Sequence, residues 1–358
     1  MRELTIRRNE AGQRLDKFLH KYMKDAPSSL FYKMMRKKNI VLNGEKCTGQ
    51  EILSVGDSVK LFFSEETFVK FGAPAVSEEK TSSNIPLLKE AGNAFERFGN
   101  LEVIYEDQHI LAVSKPAGIL SQKAQPSDLS LNEWLVGYLL SKKEITAADL
   151  HTFRPSVCNR LDRNTSGLVL CAKSLAGAQF LTSCLKDRSV HKYYRLFVKG
   201  TPKEGVLTGW LQKDEKTNTV TILDSCPTNK KDVSEIKTGI KPISSYKLPG
   251  GTVITHAQAE LFTGRSHQIR AHLAHIGHCL IGDSKYGDPT INRPIQSIHK
   301  NSQMLHAWQI VFPTCIEGTF SYLSGKTITA KEPESYQQLI LYCRQKAEKQ
   351  NKPGRKEV

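Results

Sequence analysis

Asp162 stands between Arg160 and Arg163 in the run Asn159-Arg160-Leu161-Asp162-Arg163-Asn164-Thr165-Ser166-Gly167, which passes directly into Leu168-Val169-Leu170-Cys171-Ala172. The first part is too rich in turn formers to be regular, and the second reads as a buried strand. A carboxylate is thus carried on a loop that enters the core, with a guanidinium group on either side favouring its charged form. Such a group can act as a nucleophile or as an electrostatic stabiliser. Alone, an R-x-D-R tetrapeptide reads as a surface turn with two solvated ion pairs, so the weight falls on what accompanies it.

Two clusters do. Val190 to Val198 alternates as a half-buried strand, putting Lys192 and Tyr194 on one face. A long strand from Thr252 to Phe262 leads into Thr263-Gly264-Arg265-Ser266-His267-Gln268-Ile269-Arg270 and on to His278. There Ser266 is the expected N-cap, Ile269, Leu273 and Ile276 the buried stripe, and Gly277 the stop. His267 and Arg270 fall about 60° apart on the helical wheel, away from that stripe. His272, His275 and His278 have i, i+3 spacings that could grip zinc, yet only Cys279 offers a complementary ligand, so no metal is expected.

The string Arg160 to Leu168 closely resembles the signature of the RluA family of pseudouridine synthases, and Gly264-Arg265-Ser266-His267-Gln268-Ile269-Arg270, continued by Ile281-Gly282-Asp283 and Tyr286-Gly287, is nearly identical to that family's G-R-x-H-Q-I-R motif. The family usually has His and Asp where this chain has Asn159 and Asn164, departures that touch loop hydrogen bonding and leave the carboxylate in place. The resemblance implies that Asp162 is the catalytic carboxylate, acting at C6 of the base or C1′ of the ribose. It implies that Arg270, with Arg265 as the alternative, pairs with it. Tyr194 falls on the family's active-site tyrosine, stacking on or bordering the uracil and able to accept the C5 proton. Arg160 is expected to hold open the site of a flipped nucleotide, and Arg163, Lys192, Arg265 and His267 to contact RNA. Lys115-Pro116-Ala117-Gly118 resembles the Lys-Pro loop bordering the cleft, with Lys115 a candidate phosphate contact.

Around these residues the chain divides into four parts. Residues 1–71 form a small module: helical spacing of Leu15, Phe18, Leu19 and Tyr22, a second helix capped by Ser28 or Ser29 with Leu30, Phe31, Met34 and Met35 inward, a strand Ile40-Val41-Leu42, an Asn43-Gly44 turn and a strand from Val59 to Phe63. This pattern is similar to the S4 RNA-binding domain, and Lys33, Arg36, Lys37 and Lys38 are expected to meet phosphate. Residues 72–99 read as a linker with a short helix around Leu87 to Phe95. Residues 100–340 make the catalytic domain, opening on a hairpin through Glu106-Asp107-Gln108, with helices over 131–140 and 176–185. Residues 203–249 show only short strand-like pieces, and 341–358 form a basic tail, irregular from Arg344. The fold class is α+β: a mixed, mainly antiparallel sheet with flanking helices and a central cleft, plus the S4-like module.

Length and composition agree with that plan. The 358 residues carry a formal charge of +15, which points to a polyanionic partner. Nine basic against three acidic residues lie in 14–46, and six against two in 344–358, so positive charge gathers in the appendages. Eight scattered cysteines without a C-x-x-C pair suggest reduced thiols. No apolar run has the length of a membrane span and the N-terminus lacks a signal-peptide core, so a cytoplasmic protein is expected. The reading is a monomeric RNA pseudouridine synthase without cofactor or metal, acting on 23S ribosomal RNA. The alternatives are transfer RNA as substrate, or a non-catalytic RNA-binding assembly factor.

Overall fold

The computed structural model describes residues 1–74, 85–214, 217–227, 232–300 and 302–350. Parts of the expected linker (75–84) and of the expected tail (351–358) lie outside these. No helix among the described residues is long and apolar enough to cross a membrane. The chain forms two compact units, Met1–Ala112 with Ser121–Arg160 and Leu170–Ser183, and Val113–Leu120 with Leu161–Val169 and Cys184–Val358.

The first unit begins with strand β1 (Arg2–Thr5), helices α1 (Leu15–Tyr22) and α2 (Ser28–Arg36), and strands β2 (Ile40–Leu42), β3 (Glu45–Lys46) and β4 (Ser58–Leu61), in sheet order β1-β4-β2-β3. Leu15, Phe18, Leu19, Phe31, Met35, Ile40, Val59 and Leu61 close its core, each large side chain contributing roughly 1.5–3 kcal/mol of burial. Asn43 and Gly44, both at positive φ, make the two-residue turn between β2 and β3. Neither Ser28 nor Ser29 caps α2: the capping position belongs to Pro27, and no side chain bonds there. Proline fixes an extended entry without needing a donor, which displaces the serines into the first turn. Lys33, Arg36, Lys37 and Lys38 are all exposed, and Lys38 takes a left-handed φ of 58° that closes the turn after α2.

After helix α3 (Glu65–Lys70), helix α4 (Ile85–Phe98) occupies the end of the expected linker and extends beyond the helix read around Leu87 to Phe95. It packs on α5 (Leu131–Ser141), where Gly137 allows contact so close that a Cβ there would lie 2.4 Å from the Ala91 carbonyl oxygen. Strands β5 (Glu102–Glu106) and β6 (Ile110–Lys115) form the expected hairpin, its turn fixed by Asp107 Oδ1 accepting from the amides of His109 and Ile110 at 2.7 Å. Strand β7 (Ser156–Val157) pairs with the end of β8 (Ser166–Ala172), and helix α6 (Leu175–Lys186) follows.

In the second unit, β9 (His191–Lys199), β10 (Gly205–Asp214), β11 (Thr219–Leu223), β12 (Val233–Lys247), β13 (Val253–Leu261) and β14 (Leu305–Val311) lie in the order β11-β10-β12-β13-β9-β14-β8, with β15 (Thr327–Thr329) on β14. Every pairing is antiparallel except β14 with β8. Residues 203–249, read as fragments, contain strands up to 15 residues long. Lysines and threonines on the solvent side interrupt the apolar signal, while Ile236, Thr238 and Ile240 face inward. Helix α7 (Gln268–His275), the short helices α8 (Pro289–Asn292) and α9 (Gln296–His299), and α10 (Glu334–Gln350) complete the unit. The last helix runs past Arg344, where an irregular tail was expected, because Tyr336, Leu339, Ile340 and Cys343 anchor it on Phe197 and Ile254.

Candidate active site

The Asp162 loop is fixed by its backbone. The Arg163 carbonyl accepts from the Gly118 amide at 2.8 Å and from Lys115 Nζ at 3.1 Å, and the Thr165 amide donates to the Asp162 carbonyl at 3.1 Å. Gln303 Nε2 holds Thr165 Oγ1 at 2.9 Å, and Ser166 Oγ shares a 2.9 Å hydrogen bond with His306 Nδ1. Gly167, at φ 108°, lies so close to β14 that a Cβ would sit 2.2 Å from the Ala307 carbonyl oxygen. Any side chain there would push β8 from β14 and shift the loop. Asn159 Oδ1 accepts from the Leu170 amide at 2.7 Å, so this asparagine ties the loop's approach to β8.

Lys115 is a correction. It was expected at phosphate, but it is fully buried and donates to the carbonyls of Pro116, Ile119 and Arg163 at 3.0, 2.8 and 3.1 Å. Burial pushes its pKa down to about 7, against the pull of the nearby Asp162 charge. Its ammonium ties two loops together and has no route to RNA.

Asp162 is half-buried, and its Oδ2 accepts from Arg270 Nη1 at 2.8 Å. Arg270 is buried on α7, and its Nε and Nη2 make a two-pronged contact with Asp283 Oδ2 and Oδ1 at 2.7 and 2.9 Å. Asp283 is almost wholly buried and also accepts from the amides of Lys285 and Tyr286 at 2.8 and 3.1 Å. Burial alone would disfavour both charges, yet the pairing wins: Arg270 rises above the ordinary arginine range and Asp283 falls below the ordinary aspartate range. The Tyr286 ring lies 5.2 Å from the Arg270 guanidinium carbon, and its hydroxyl meets His267 Nδ1 at 3.0 Å and the Val220 amide at 2.9 Å.

The entry to α7 differs from expectation. Ser266 is exposed and does not cap the helix; His267 takes that position at φ 54°, and the Arg265 amide is held by Gln268 Oε1 at 3.2 Å. Gln268 also bonds Thr263 Oγ1 and Thr238 Oγ1 at 2.9 Å, so a buried side chain pins the loop that leads into the helix, which has no side-chain cap. Ile269 and Leu273 are buried as expected, but Ile276 lies past the helix end and is exposed.

Tyr194 on β9 is buried, and burial together with the Asp162 charge raises its pKa, keeping it a neutral phenol. Lys192, two residues earlier, is half-buried, and burial lowers its pKa. Arg160, Arg163 and Arg265 are exposed, and His267 is half-buried with a pKa lowered by burial. Thus Asp162, Arg270 and Tyr194 converge, while Arg265 makes no side-chain bond to Asp162. The histidines disperse: His272 bonds Thr238 Oγ1 at 3.1 Å, His275 bonds Asp224 at 2.8 Å, and His278 bonds the Lys199 carbonyl at 2.8 Å. Among the described residues no group of three or more His, Cys, Asp or Glu is arranged to hold a metal. Sequence reasoning missed Asp283. Its signal was the Gly-Asp pair 13 residues after Arg270, in the string that continues the arginine motif.

A buried guanidinium clamped by one carboxylate and presented to a second, half-open one beside a neutral tyrosine is an arrangement for acid–base or nucleophilic work on a planar polar substrate. The family model described as RNA pseudouridylate synthase matches residues 109–275, the span that carries Asp162, Tyr194 and Arg270. Ribosomal large subunit pseudouridine synthase C of Vibrio vulnificus (strain CMCP6) is 30% identical over 316 residues, covering 86% of this chain and 87% of that one. Ribosomal large subunit pseudouridine synthase D of Neisseria meningitidis serogroup A is 26% identical over 340 residues, covering 92% and 78%. The solved structure of human RNA pseudouridylate synthase domain containing 4 has the same fold, with a TM-score of 0.53 at 18% identity over 72% of this chain and 97% of that one. The chain belongs to the RluA family of RNA pseudouridine synthases. It is an enzyme of that class, with a mixed, mainly antiparallel α+β fold.

Proposed function

We propose that the enzyme isomerises uridines of large-subunit (23S) ribosomal RNA, with Asp162 as the catalytic carboxylate. The observation that carries this reading is the Asp162–Arg270–Asp283 chain. Arg270 occupies Oδ2 of Asp162, whereas Oδ1 has no hydrogen bond among the described residues and is the atom left for substrate. The names of the two bacterial relatives support ribosomal RNA as the substrate.

The C1′–N1 bond of the bound uridine breaks, the detached uracil turns, a C1′–C5 bond forms, the C5 proton is lost and the freed N1 takes up a proton. Asp162 Oδ1 meets the nucleoside at C1′ or C6, and Arg270, on Oδ2, keeps the free carboxylate charged before that step and favours it as the leaving group when it is released. Tyr194, as a neutral phenol, borders the detached ring; a neutral phenol is a poor acceptor, so the C5 proton passes to water and the carboxylate is regenerated. The target base has to leave its helix to reach Asp162, and exposed Arg160 and Arg163 beside it support a role in holding the opened strand. Residues 1–71 act as an RNA-binding module through Lys33, Arg36, Lys37 and Lys38, residues 100–340 carry the chemistry, and the basic tail adds charge.

The test is to incubate the purified protein with unmodified transcripts of large-subunit ribosomal RNA and of transfer RNAs, and to map pseudouridine in each. Product in the ribosomal transcript alone is expected. Product confined to transfer RNA would move the substrate assignment, and none in either would overturn it.

A further inference from the structure

Ser166 ends the Asp162 loop, and what holds it lies on the far face of the sheet. On β14, Ala307 is opposite Tyr194 and His306 is opposite Arg195, so the His306 side chain points to the face away from Tyr194. It is 2% exposed, and its Nδ1 shares the 2.9 Å hydrogen bond with Ser166 Oγ. Here β14 meets β8 in a short parallel contact, His306 with Ser166 and Ala307 with Gly167. With so little backbone ladder, the register of the loop against β14 falls to side chains: His306 on Ser166, and Gln303 Nε2 on Thr165 Oγ1 at 2.9 Å. Thr165 in turn donates its amide to the Asp162 carbonyl at 3.1 Å.

The C-terminal segment fixes the imidazole from its other side. The Tyr336 ring meets His306 edge-on with 6.5 Å between ring centres, and the Tyr336 hydroxyl donates to the Arg195 carbonyl at 2.9 Å. Glu332 Oε1 approaches His256 Nε2 at 3.4 Å and Arg195 Nε at 3.5 Å. Even so, Arg195 Nε, His256 Nε2 and His306 Nε2 are buried with no aligned hydrogen-bond partner among the described residues. A buried nitrogen without a partner is unfavourable, and a hydrocarbon ring would fill the same space without one. What the imidazole adds at this place is therefore Nδ1 and its bond to Ser166. Burial lowers the His306 pKa to about 4, against the pull of the Glu332 charge, so the ring is uncharged at neutral pH.

We propose that His306 is a positioning residue for the isomerisation: through Ser166 it fixes the end of the loop that carries Asp162, and the C-terminal segment from Glu332 to Tyr336 packs the ring in that orientation. It rests on the reading of Asp162 as the catalytic carboxylate given above.

Four variants test this. His306→Asn keeps an amide where Nδ1 stands, His306→Gln moves the amide toward Nε2, His306→Phe fills the space with neither, and Ser166→Ala removes the partner. In steady-state turnover of an unmodified large-subunit ribosomal RNA transcript, His306→Phe, His306→Gln and Ser166→Ala should each lower kcat about tenfold or more with KM near the parent's, while His306→Asn stays within about threefold. The Ser166→Ala, His306→Phe double variant should be no slower than either single, because both break one contact. Without RNA, exchange of the Thr165 amide should quicken about tenfold in His306→Phe and Ser166→Ala and stay near the parent's in His306→Asn. Urea melts show that each variant is folded, and if His306→Phe is not, His306→Gln and Ser166→Ala decide in its place. Turnover in these variants within about threefold of the parent, losses that multiply in the double variant, or unchanged Thr165 exchange would overturn the proposal. Parental rates in Asp162→Asn, or a parent that makes no pseudouridine in the transcript, would count against the reading of the site instead, and the exchange rates would still decide whether His306 holds the loop.

Discussion

Arg270 touches Asp162 through one nitrogen only, Nη1 on Oδ2 at 2.8 Å, and spends its other two on Asp283. The carboxylate is therefore oriented without being enclosed. Oδ1 has no hydrogen bond among the described residues, and Asp283 holds the other edge of the guanidinium.

Asp162→Asn keeps the shape of the side chain and an oxygen for Arg270, but removes the charge. RNA affinity should stay near the parent's while pseudouridine formation is abolished. Single-turnover release of tritium from C5 reads this directly. Turnover within about tenfold of the parent, a barrier change under about 1.4 kcal/mol, would remove Asp162 from its assigned role.

Asp283→Asn leaves the buried Arg270 charge with only one of its two carboxylate partners. Breaking a buried pair in this way costs about 3–5 kcal/mol, and Arg270 loses the contact that aims it at Asp162. A lower urea midpoint and a fall in kcat larger than the change in KM are expected. Arg270→Lys should show the same fall in kcat, since one ammonium cannot bridge two carboxylates with that geometry. Full activity in a destabilised Asp283→Asn would reduce Asp283 to a structural group.

Lys115 gives a pH signature. Its pKa is lowered from 10.5 to about 7 in the folded chain, so between those values the unfolded chain binds the extra proton. Stability contributed by this group therefore rises with pH from about 7 toward 10.5, and below pH 7 the burial penalty is present in full. Lys115→Met should lose that rise. It should also be less stable overall, because the carbonyls of Pro116, Ile119 and Arg163 lose their donor at roughly 1–3 kcal/mol each. Urea melts of parent and variant at pH 6, 7, 8 and 9 separate the two effects, and parallel pH profiles would refute the first.

Dialysis against EDTA should leave the rate unchanged, since His272, His275 and His278 are each bonded to a different partner. Loss of activity with recovery on adding zinc would bring that cluster into the chemistry.

Removing residues 1–75 should weaken RNA binding and flatten its salt dependence by about 0.7–0.9 per lost phosphate contact, with KM rising more than kcat falls. Asp162, Tyr194, Arg270 and Asp283 all lie in the unit without Met1–Ala112 and outside the removed residues. The cut does remove Glu10 from Thr152 and Arg7 from Asp149, which are bonded at 2.5 and 3.1 Å, so a modest drop in thermal midpoint should accompany it. Unchanged KM and salt slope would show that the module does not bind RNA.

Asp162, Arg270 and Tyr194 stand out in the sequence because each sits in a contiguous string that resembles a motif of the family, while turn formers, alternation and helical spacing place those strings on a loop, a helix and a strand. The core of β2, α1 and α2 was legible for the same reason. Residues 203–249 were not, since lysines and threonines facing water mask a strand whose partners lie far along the chain. Tertiary structure alone decided which way polar groups face. Lys115 and Gln268 look like surface residues in sequence, and only the fold shows that burial turned them into internal fasteners. It also showed that the partner fixing Arg270 is Asp283, 13 residues on, because a buried charge is matched by whatever carboxylate the packing brings within reach.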